Sequence, residues 1–186
     1  MAETMNSARK LCASIFAIGL SLSAGVASAK QAAIAPGIER FKADSTLPLL
    51  KAALIPAGSE FLYVSGQIAS PIDPSKPMSS KLTAADLGNT TVQTVSALSK
   101  VKGILEAHGY MMSDVVKLTV FLAGDPTIGG KIDFAGMNEG FKKFFGTAEN
   151  PNRTTRSTVQ VAEVAYPGFF VEIDVVAAKA SASARK

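Results

Sequence analysis

The segment from Asp114 to Leu122 places the strongest constraint on the fold. It predicts a β-strand that is apolar on both faces, a composition typical of a strand inside a sheet. The residues before it predict a long helix, because apolar side chains recur at helical spacing. Thr83 and Asp86 can form a capping box at its start, and Gly109 marks its end. The apolar positions of this helix are Val92, Val95, Leu98, Val101 and Leu105.

A second helix and further strands complete the pattern. Asp133 to Phe145 predicts a helix, and the segments Arg156 to Val164 and Phe169 to Ala177 alternate as strands. Towards the N-terminus, Phe61 to Val64 predicts a strand and Ile38 to Lys42 an edge strand. This order indicates an α+β domain in which two helices pack on one face of a sheet.

We expect the last two strands to be neighbours. Their alternation places the side chains in two sets, one on each face of the sheet. We expect the apolar set to face the helices and the other set to form a face of mixed polarity, which is either solvated or used in assembly. The apolar set is Val159, Val161, Val171 and Ile173, and the other set is Arg156, Thr158, Gln160 and Glu172.

The N-terminal segment predicts a signal peptide over residues 1–29. Arg9 and Lys10 precede an uncharged apolar run, and Ala27-Ser28-Ala29 is an A-x-A cleavage site. We therefore expect an exported protein, periplasmic or secreted, with no stable membrane anchor after cleavage. An uncleaved membrane anchor is the alternative. Residues 30–180 form the predicted domain and 181–186 a disordered tail.

The small number of cysteine and histidine residues excludes several kinds of site. The only cysteine, Cys12, is removed with the signal, so disulfides, thiol catalysis and cysteine–metal sites are excluded from the mature chain. The single histidine, His108, precedes Gly109 and is expected to cap a helix. The net charge of +4 falls by one on cleavage, and the scattered basic residues form no stripe typical of nucleic-acid binding.

Arg156 and Glu172 are the strongest candidates for chemistry. By parity they share one sheet face, where a guanidinium can hold a carboxylate and a glutamate can position or deprotonate water. A surface salt bridge of little energetic value is the alternative. Asn138 is expected on the solvated side of the second helix, and Ser65-Gly66 offers backbone N–H groups at a strand end or bulge.

Several segments together resemble the RidA family, also called YjgF, of reactive intermediate (enamine/imine) deaminases. The resemblance runs from about Phe61 to Ala178. The matching segments are Phe61 to Ile68, Asp114 to Leu122, Asn138 with Phe141 and Phe144-Phe145, Arg156 to Val161, Pro167-Gly168, and Val171 to Asp174.

The resemblance implies a chorismate-mutase-like fold, a homotrimer with a central barrel, and sites between subunits. It implies hydrolysis of 2-imino acids to 2-oxo acids and ammonia, with no metal or cofactor. Arg156 would hold the substrate carboxylate and Glu172 would orient the water. The remaining pocket residues would be Asn138, Ser65, Gly66 and Thr158, the last at a position where some members have Cys.

One departure from the family leaves the function open. Pro48-Leu49-Leu50-Lys51 stands where the family usually has a Tyr, so that hydroxyl is missing. An imine deaminase is the first hypothesis, and a non-catalytic trimer that binds 2-oxo acids or carbonyl compounds is the second. RNA cleavage, a third activity attributed to relatives, is disfavoured by the modest charge and the export signal.

Overall fold

The computed structural model describes residues 37–78 and 81–181, so the predicted signal peptide and residues 182–186 lie outside the described residues. Within that part the chain forms a mixed sheet with helices on one face. The strands are β1 (Glu39–Lys42), β2 (Leu50–Leu54), β3 (Glu60–Ile68), β4 (Val115–Leu122), β5 (Thr155–Gln160) and β6 (Val171–Lys179). The helices are α1 (Ala84–Leu87), α2 (Thr90–Ala107) and α3 (Phe134–Phe141), and 3-10 turns lie at Met112–Asp114 and Pro126–Ile128.

The main sheet has the strand order β3-β6-β4-β5, and β1 and β2 form a separate antiparallel hairpin. β4 is antiparallel to β6 and parallel to β5. A bridge between Leu49 and Thr154 joins the hairpin to the outer edge of β5. The fold is therefore α+β, as predicted, but β5 and β6 are not neighbours, because β4 lies between them. A β4–β5 crossover through α3 lets the two strands pair in parallel.

The predicted long helix is divided in two. Thr83 and Asp86 form the expected capping box, but it begins the four-residue helix α1. Gly88, at φ +82°, ends α1, and the Asn89 side chain accepts a hydrogen bond from the Val92 N–H to begin α2. The predicted end is confirmed, since His108 is the C-cap residue and Gly109 has φ +75°.

The core lies between the helices and one face of the sheet. Leu98, Val101 and Leu105 of α2 are buried there, as predicted, but Val92 is exposed and the first buried turn carries Gln93 and Thr94. α3 contributes Met137 and Phe141. The sheet contributes side chains that alternate along β4 and β6, namely Leu118, Val120, Leu122, Val171, Ile173, Val175 and Ala177.

Gln93 joins the helix layer to the sheet through a fully buried side-chain amide. Its Nε2 donates to the Gly88 and Gly168 carbonyls at 3.0 and 2.9 Å, and its Oε1 accepts from the Phe170 N–H at 2.7 Å. These bonds satisfy the buried Phe170 N–H and the partly buried Gly168 carbonyl just before β6, and the partly buried Gly88 carbonyl at the end of α1. The amide therefore fixes where β6 begins.

The face opposite the helices differs in membership from the predicted one. Register places Ile68, Glu172, Phe121 and Val159 in one row across this face. A second row contains Asp174, Thr119 and Ser157. Tyr63 is 75% exposed and Val159 42%. The expected mixture of polar and apolar groups is present, but β5 contributes Ser157 and Val159 to it, not Arg156 and Thr158.

We expect Gln93→Met to destabilise the protein by about 1–3 kcal/mol, because the change keeps side-chain length but leaves the buried Phe170 N–H and two partly buried carbonyls without their partner. Chemical denaturation monitored by circular dichroism measures the change. Lys102→Met, on the exposed side of the same helix, is the control and should change stability by less than about 0.5 kcal/mol. Equal stability of Gln93→Met and the wild type would contradict the assigned role.

Candidate active site

Arg156 lies on the helix-facing side of the sheet, which corrects the predicted placement. Arg156 pairs with Leu118 of β4, and Leu118 pairs in turn with Val175 of β6. Leu118 and Val175 are both buried beneath the helices. Its guanidinium carbon lies 4.6 Å from the centre of the Phe141 ring and 5.7 Å from that of Phe134. These helix residues cover the arginine, which explains why the more polar set of β5 faces inward.

The Arg156 guanidinium has no carboxylate partner within the described part of the chain. Its side chain donates a hydrogen bond to the Met137 sulfur at 3.6 Å, and sulfur is a weak acceptor. Burial lowers the pKa of Arg156 to about 10, so the group remains a cation at neutral pH. A partly buried cation held by aromatic rings, with no counter-ion, is suited to bind an anion.

Asn138 and Thr158 bring further polar atoms to this region. Asn138 is buried, not solvated as predicted, because it lies on the α3 face that carries Phe134 and Phe141. Its Oδ1 has no hydrogen-bond partner within residues 37–78 and 81–181, and neither has Thr158 Oγ1. Buried polar atoms are normally paired, so both atoms have an unused capacity to accept a hydrogen bond.

The backbone of β5 adds donors at its outer edge. Leu50 N–H donates to the Thr154 carbonyl on that edge at 3.0 Å, whereas Val161 N–H donates to Leu122 of β4 at 2.9 Å. Because successive peptide groups of a strand point in opposite directions, the N–H groups of Arg156 and Thr158 point away from β4. The Thr158 N–H therefore lies at the outer edge of the sheet, on the same edge strand that carries Arg156.

Glu172 lies on the opposite face of the sheet, beside a bulge in β3. Val64 pairs with Val175 and Gln67 with Ile173, so β3 holds one extra residue over Ser65-Gly66. Of the two alternatives predicted for this segment, a strand end or a bulge, the structure has the bulge. A Cβ at position 66 would collide with the Glu172 carboxylate. Glycine is therefore required there for the carboxylate to lie against the backbone.

One chain does not bring Arg156 and Glu172 together. Arg156 shares the helix-facing side with Asn138 and Thr158, and Glu172 shares the other side with Gly66. Alternation in the sequence correctly divided the side chains of each strand between two faces. It did not determine which of the two faces of β5 the helices cover. The aromatic contacts of Arg156 were also missed, although the spacing of Phe134, Met137 and Phe141 along one helix face was a usable signal.

The chain is similar to a known protein family and to several known proteins. The family model described as Endoribonuclease L-PSP matches residues 52–179. A RutC family protein of Pyrococcus horikoshii is 35% identical over 125 residues, covering 67% of this chain and 83% of that protein. A 2-iminobutanoate/2-iminopropanoate deaminase of Salmonella typhimurium is 34% identical over 118 residues, covering 63% of this chain and 79% of the relative.

A solved structure supports the fold. It is a protein of unknown function of the conserved Rid protein family from Yersinia pestis, with a TM-score of 0.55 and 18% identity, covering 76% of this chain and 98% of the other. The family match, the relatives and the fold agree with the motifs found in the sequence. The chain therefore belongs to the Endoribonuclease L-PSP family, the group that contains the Rid and YjgF proteins.

Proposed function

We propose that this protein is a hydrolytic deaminase that converts 2-imino acids, or the enamines in equilibrium with them, to 2-oxo acids and ammonia. The observation that carries the proposal is the partly buried Arg156 guanidinium, which has no counter-ion among the described residues. Its planar fork can hold the carboxylate of a 2-imino acid through two parallel hydrogen bonds. The rings of Phe134 and Phe141 keep the fork in place for that contact.

Two further polar groups near the β5 edge, from Thr158 and Asn138, can contact the carboxylate and the nitrogen of the substrate. The Thr158 N–H can donate to a carboxylate oxygen, which adds a neutral donor to the charged one. Asn138 Oδ1, buried without a partner, can accept a hydrogen bond from the imine or enamine N–H. Such contacts would orient the C=N carbon towards the outside of the edge, where water can approach it.

Glu172 is the proposed water-positioning group. Its carboxylate can take a proton from water as the oxygen adds to the imine carbon, which gives a carbinolamine. Proton transfer to the nitrogen and cleavage of the C–N bond then release ammonia and leave the 2-oxo acid. One water is consumed, and no electron acceptor is needed. Gly66 allows the carboxylate to lie close to the backbone of the β3 bulge.

The opposite-face arrangement requires a second copy of the chain to complete this site. We propose a homotrimer, as the family resemblance implies, in which the open edge of β5 in one copy meets Glu172 of its neighbour. The exposed Tyr63 and Val159 on the face away from the helices favour an assembled sheet face. Closed three-fold symmetry would repeat the same pairing three times.

The Salmonella relative, a 2-iminobutanoate/2-iminopropanoate deaminase, supports this chemistry. A non-catalytic trimer that binds 2-oxo acids is the second candidate function. The observation that favours it is the Pro48-Leu49-Leu50-Lys51 segment, which provides no tyrosine hydroxyl where the family resemblance leads one to expect it. Such a protein would keep the anion contact of Arg156 and lack turnover, so activity distinguishes the two functions.

We expect Arg156→Lys to lower kcat/KM for 2-iminobutanoate by at least about 100-fold, because an ammonium cannot reproduce the two-point contact and the substrate is misplaced. The substrate is generated in the assay, and its loss is followed above the spontaneous rate. Arg153→Lys, three residues away, is a matched control that should retain activity on this monocarboxylate. Wild-type protein that binds 2-oxobutanoate without accelerating hydrolysis would favour the binding protein.

We expect two inactive variants to complement each other. Glu172→Ala should lose activity about 10²–10⁴-fold as a general base is removed, while Asp174→Ala, two residues along the same face, should not. If sites form between subunits, co-refolded Arg156→Lys and Glu172→Ala chains regain about a quarter of wild-type activity, because that fraction of interfaces has both wild-type residues. Light scattering must show trimers, and trimers without regained activity would contradict the shared site.

We further propose that the protein is exported to the periplasm or secreted after cleavage of residues 1–29. The charged start, the apolar run and the A-x-A site support this proposal. Among residues 37–78 and 81–181, no helix has the length and apolar character needed to cross a membrane. We expect intact-mass analysis of the exported protein to give a chain that begins at Lys30. A full-length chain held in the membrane would contradict it.

A further inference from the structure

An exposed aromatic ring lies beside the proposed carboxylate-binding group. The centre of the Phe134 ring is 5.7 Å from the Arg156 guanidinium carbon, and Phe134 is 44% exposed. The two other α3 side chains that contact the guanidinium, Met137 and Phe141, are buried. Within residues 37–78 and 81–181, Phe134 is therefore the ring at this guanidinium that a bound molecule can touch while the fold stays unchanged.

The start of α3 holds this ring in a fixed place. Phe134 is the first residue of the helix, and Asp133 caps the helix by accepting a hydrogen bond from the Gly136 N–H at 2.8 Å. The Gly136 carbonyl accepts a hydrogen bond from the Thr91 hydroxyl of α2 at 3.0 Å. A Cβ at position 136 would lie 2.9 Å from that hydroxyl oxygen, so glycine permits the close approach of the two helices. The ring therefore stands on a helix end that is tied to its neighbour.

The proposed substrate contacts bring the rest of the molecule close to this ring. A carboxylate that accepts two hydrogen bonds from the guanidinium has its carbon about 4 Å from the guanidinium carbon. The imine carbon is bonded directly to that carboxylate, and the side chain begins one bond further on. These atoms therefore lie at a similar range from the guanidinium carbon as the centre of the Phe134 ring, which is 5.7 Å away.

The trigonal imine carbon limits the directions that the substrate side chain can take. Its carboxylate, nitrogen and side chain lie in one plane and point away from one another, and the first two are assigned to Arg156 and Asn138. On the helix face of Asn138, the preceding turn carries Phe134 and the following turn carries Lys142. An apolar side chain gains free energy against a ring and gains none beside an ammonium group, so its partner is Phe134.

We propose that Phe134 is a specificity-determining residue that binds the side chain of the substrate, so that the enzyme prefers 2-imino acids with long or branched apolar side chains. This inference rests on the proposed deaminase function and names the substrate class within it. The single methyl group of 2-iminopropanoate is too short to cover the ring, whereas a four-carbon side chain can. The hydrolysis is unchanged: water adds to the imine carbon, the C–N bond breaks, and ammonia leaves.

The test compares two substrates that differ in side-chain length. An amino-acid oxidase, with oxygen as oxidant and catalase to remove peroxide, makes 2-iminopropanoate from alanine and 2-imino-4-methylpentanoate from leucine. Each kcat/KM is divided by the spontaneous hydrolysis rate of that imine. We expect the wild type to prefer 2-imino-4-methylpentanoate, and Phe134→Ala to reduce this preference by about 10-fold, because three carbon atoms lose contact with a partly exposed ring. Phe134→Leu, which keeps apolar bulk, should retain most of the preference. Phe41→Ala, which removes a similarly exposed ring from β1, is the control and should leave it unchanged.

The outcomes separate this inference from the function on which it rests. If the wild type shows no preference, or if Phe134→Ala lowers both values by the same factor, the ring only supports Arg156; the specificity role is then wrong and the deaminase stands. If neither imine is hydrolysed, the deaminase is wrong, and calorimetry with pyruvate and 4-methyl-2-oxopentanoate decides the role of Phe134. Tighter binding of 4-methyl-2-oxopentanoate that Phe134→Ala abolishes would support it, and any other pattern would overturn it. Dissociation of a wild-type trimer by Phe134→Ala would assign the ring to the subunit interface and overturn it as well.

Discussion

The sheet depends on the buried amide of Gln93, because this group fixes the position of β6 relative to the helices. β6 pairs with β3 on one side and with β4 on the other, so its start sets the register of three strands. Gln93 binds Phe170 N–H and Gly168 C=O directly before β6, in which Val171 and Ile173 face the core and Glu172 faces away. The position of Glu172 over Gly66 is thus supported from the other side of the sheet by this polar contact and by the apolar side chains beside it.

Arg156 shows how the helix layer provides an environment for a charge. A guanidinium in a low-dielectric region normally requires a carboxylate, and none is present among the described residues. The faces of Phe134 and Phe141 compensate in part through their quadrupoles. The remaining desolvation cost can be offset when an anion binds, so the site is stabilised by its ligand more than by the fold.

The sequence predicted the fold class and most of the elements, because hydrophobic periodicity and glycine positions report on local structure, and it left a strand end and a bulge as alternatives at Ser65-Gly66. It did not predict β2, which has five residues and follows Pro48, or the break at Gly88. It also reversed the faces of β5. Alternation is a local property, whereas the choice between faces depended on α3 covering Arg156 and on β4 separating β5 from β6. The candidate residues were therefore named from motifs, but their grouping required the tertiary structure.

The open edge of β5 has a consequence for solubility. Peptide groups that point away from a sheet invite pairing with other chains, and a charge held near such an edge is one of the means by which proteins discourage it. Arg156 lies at this edge, close to the outward peptide groups of its own strand. The cation that attracts a small anion can thus also oppose aggregation of a newly folded subunit.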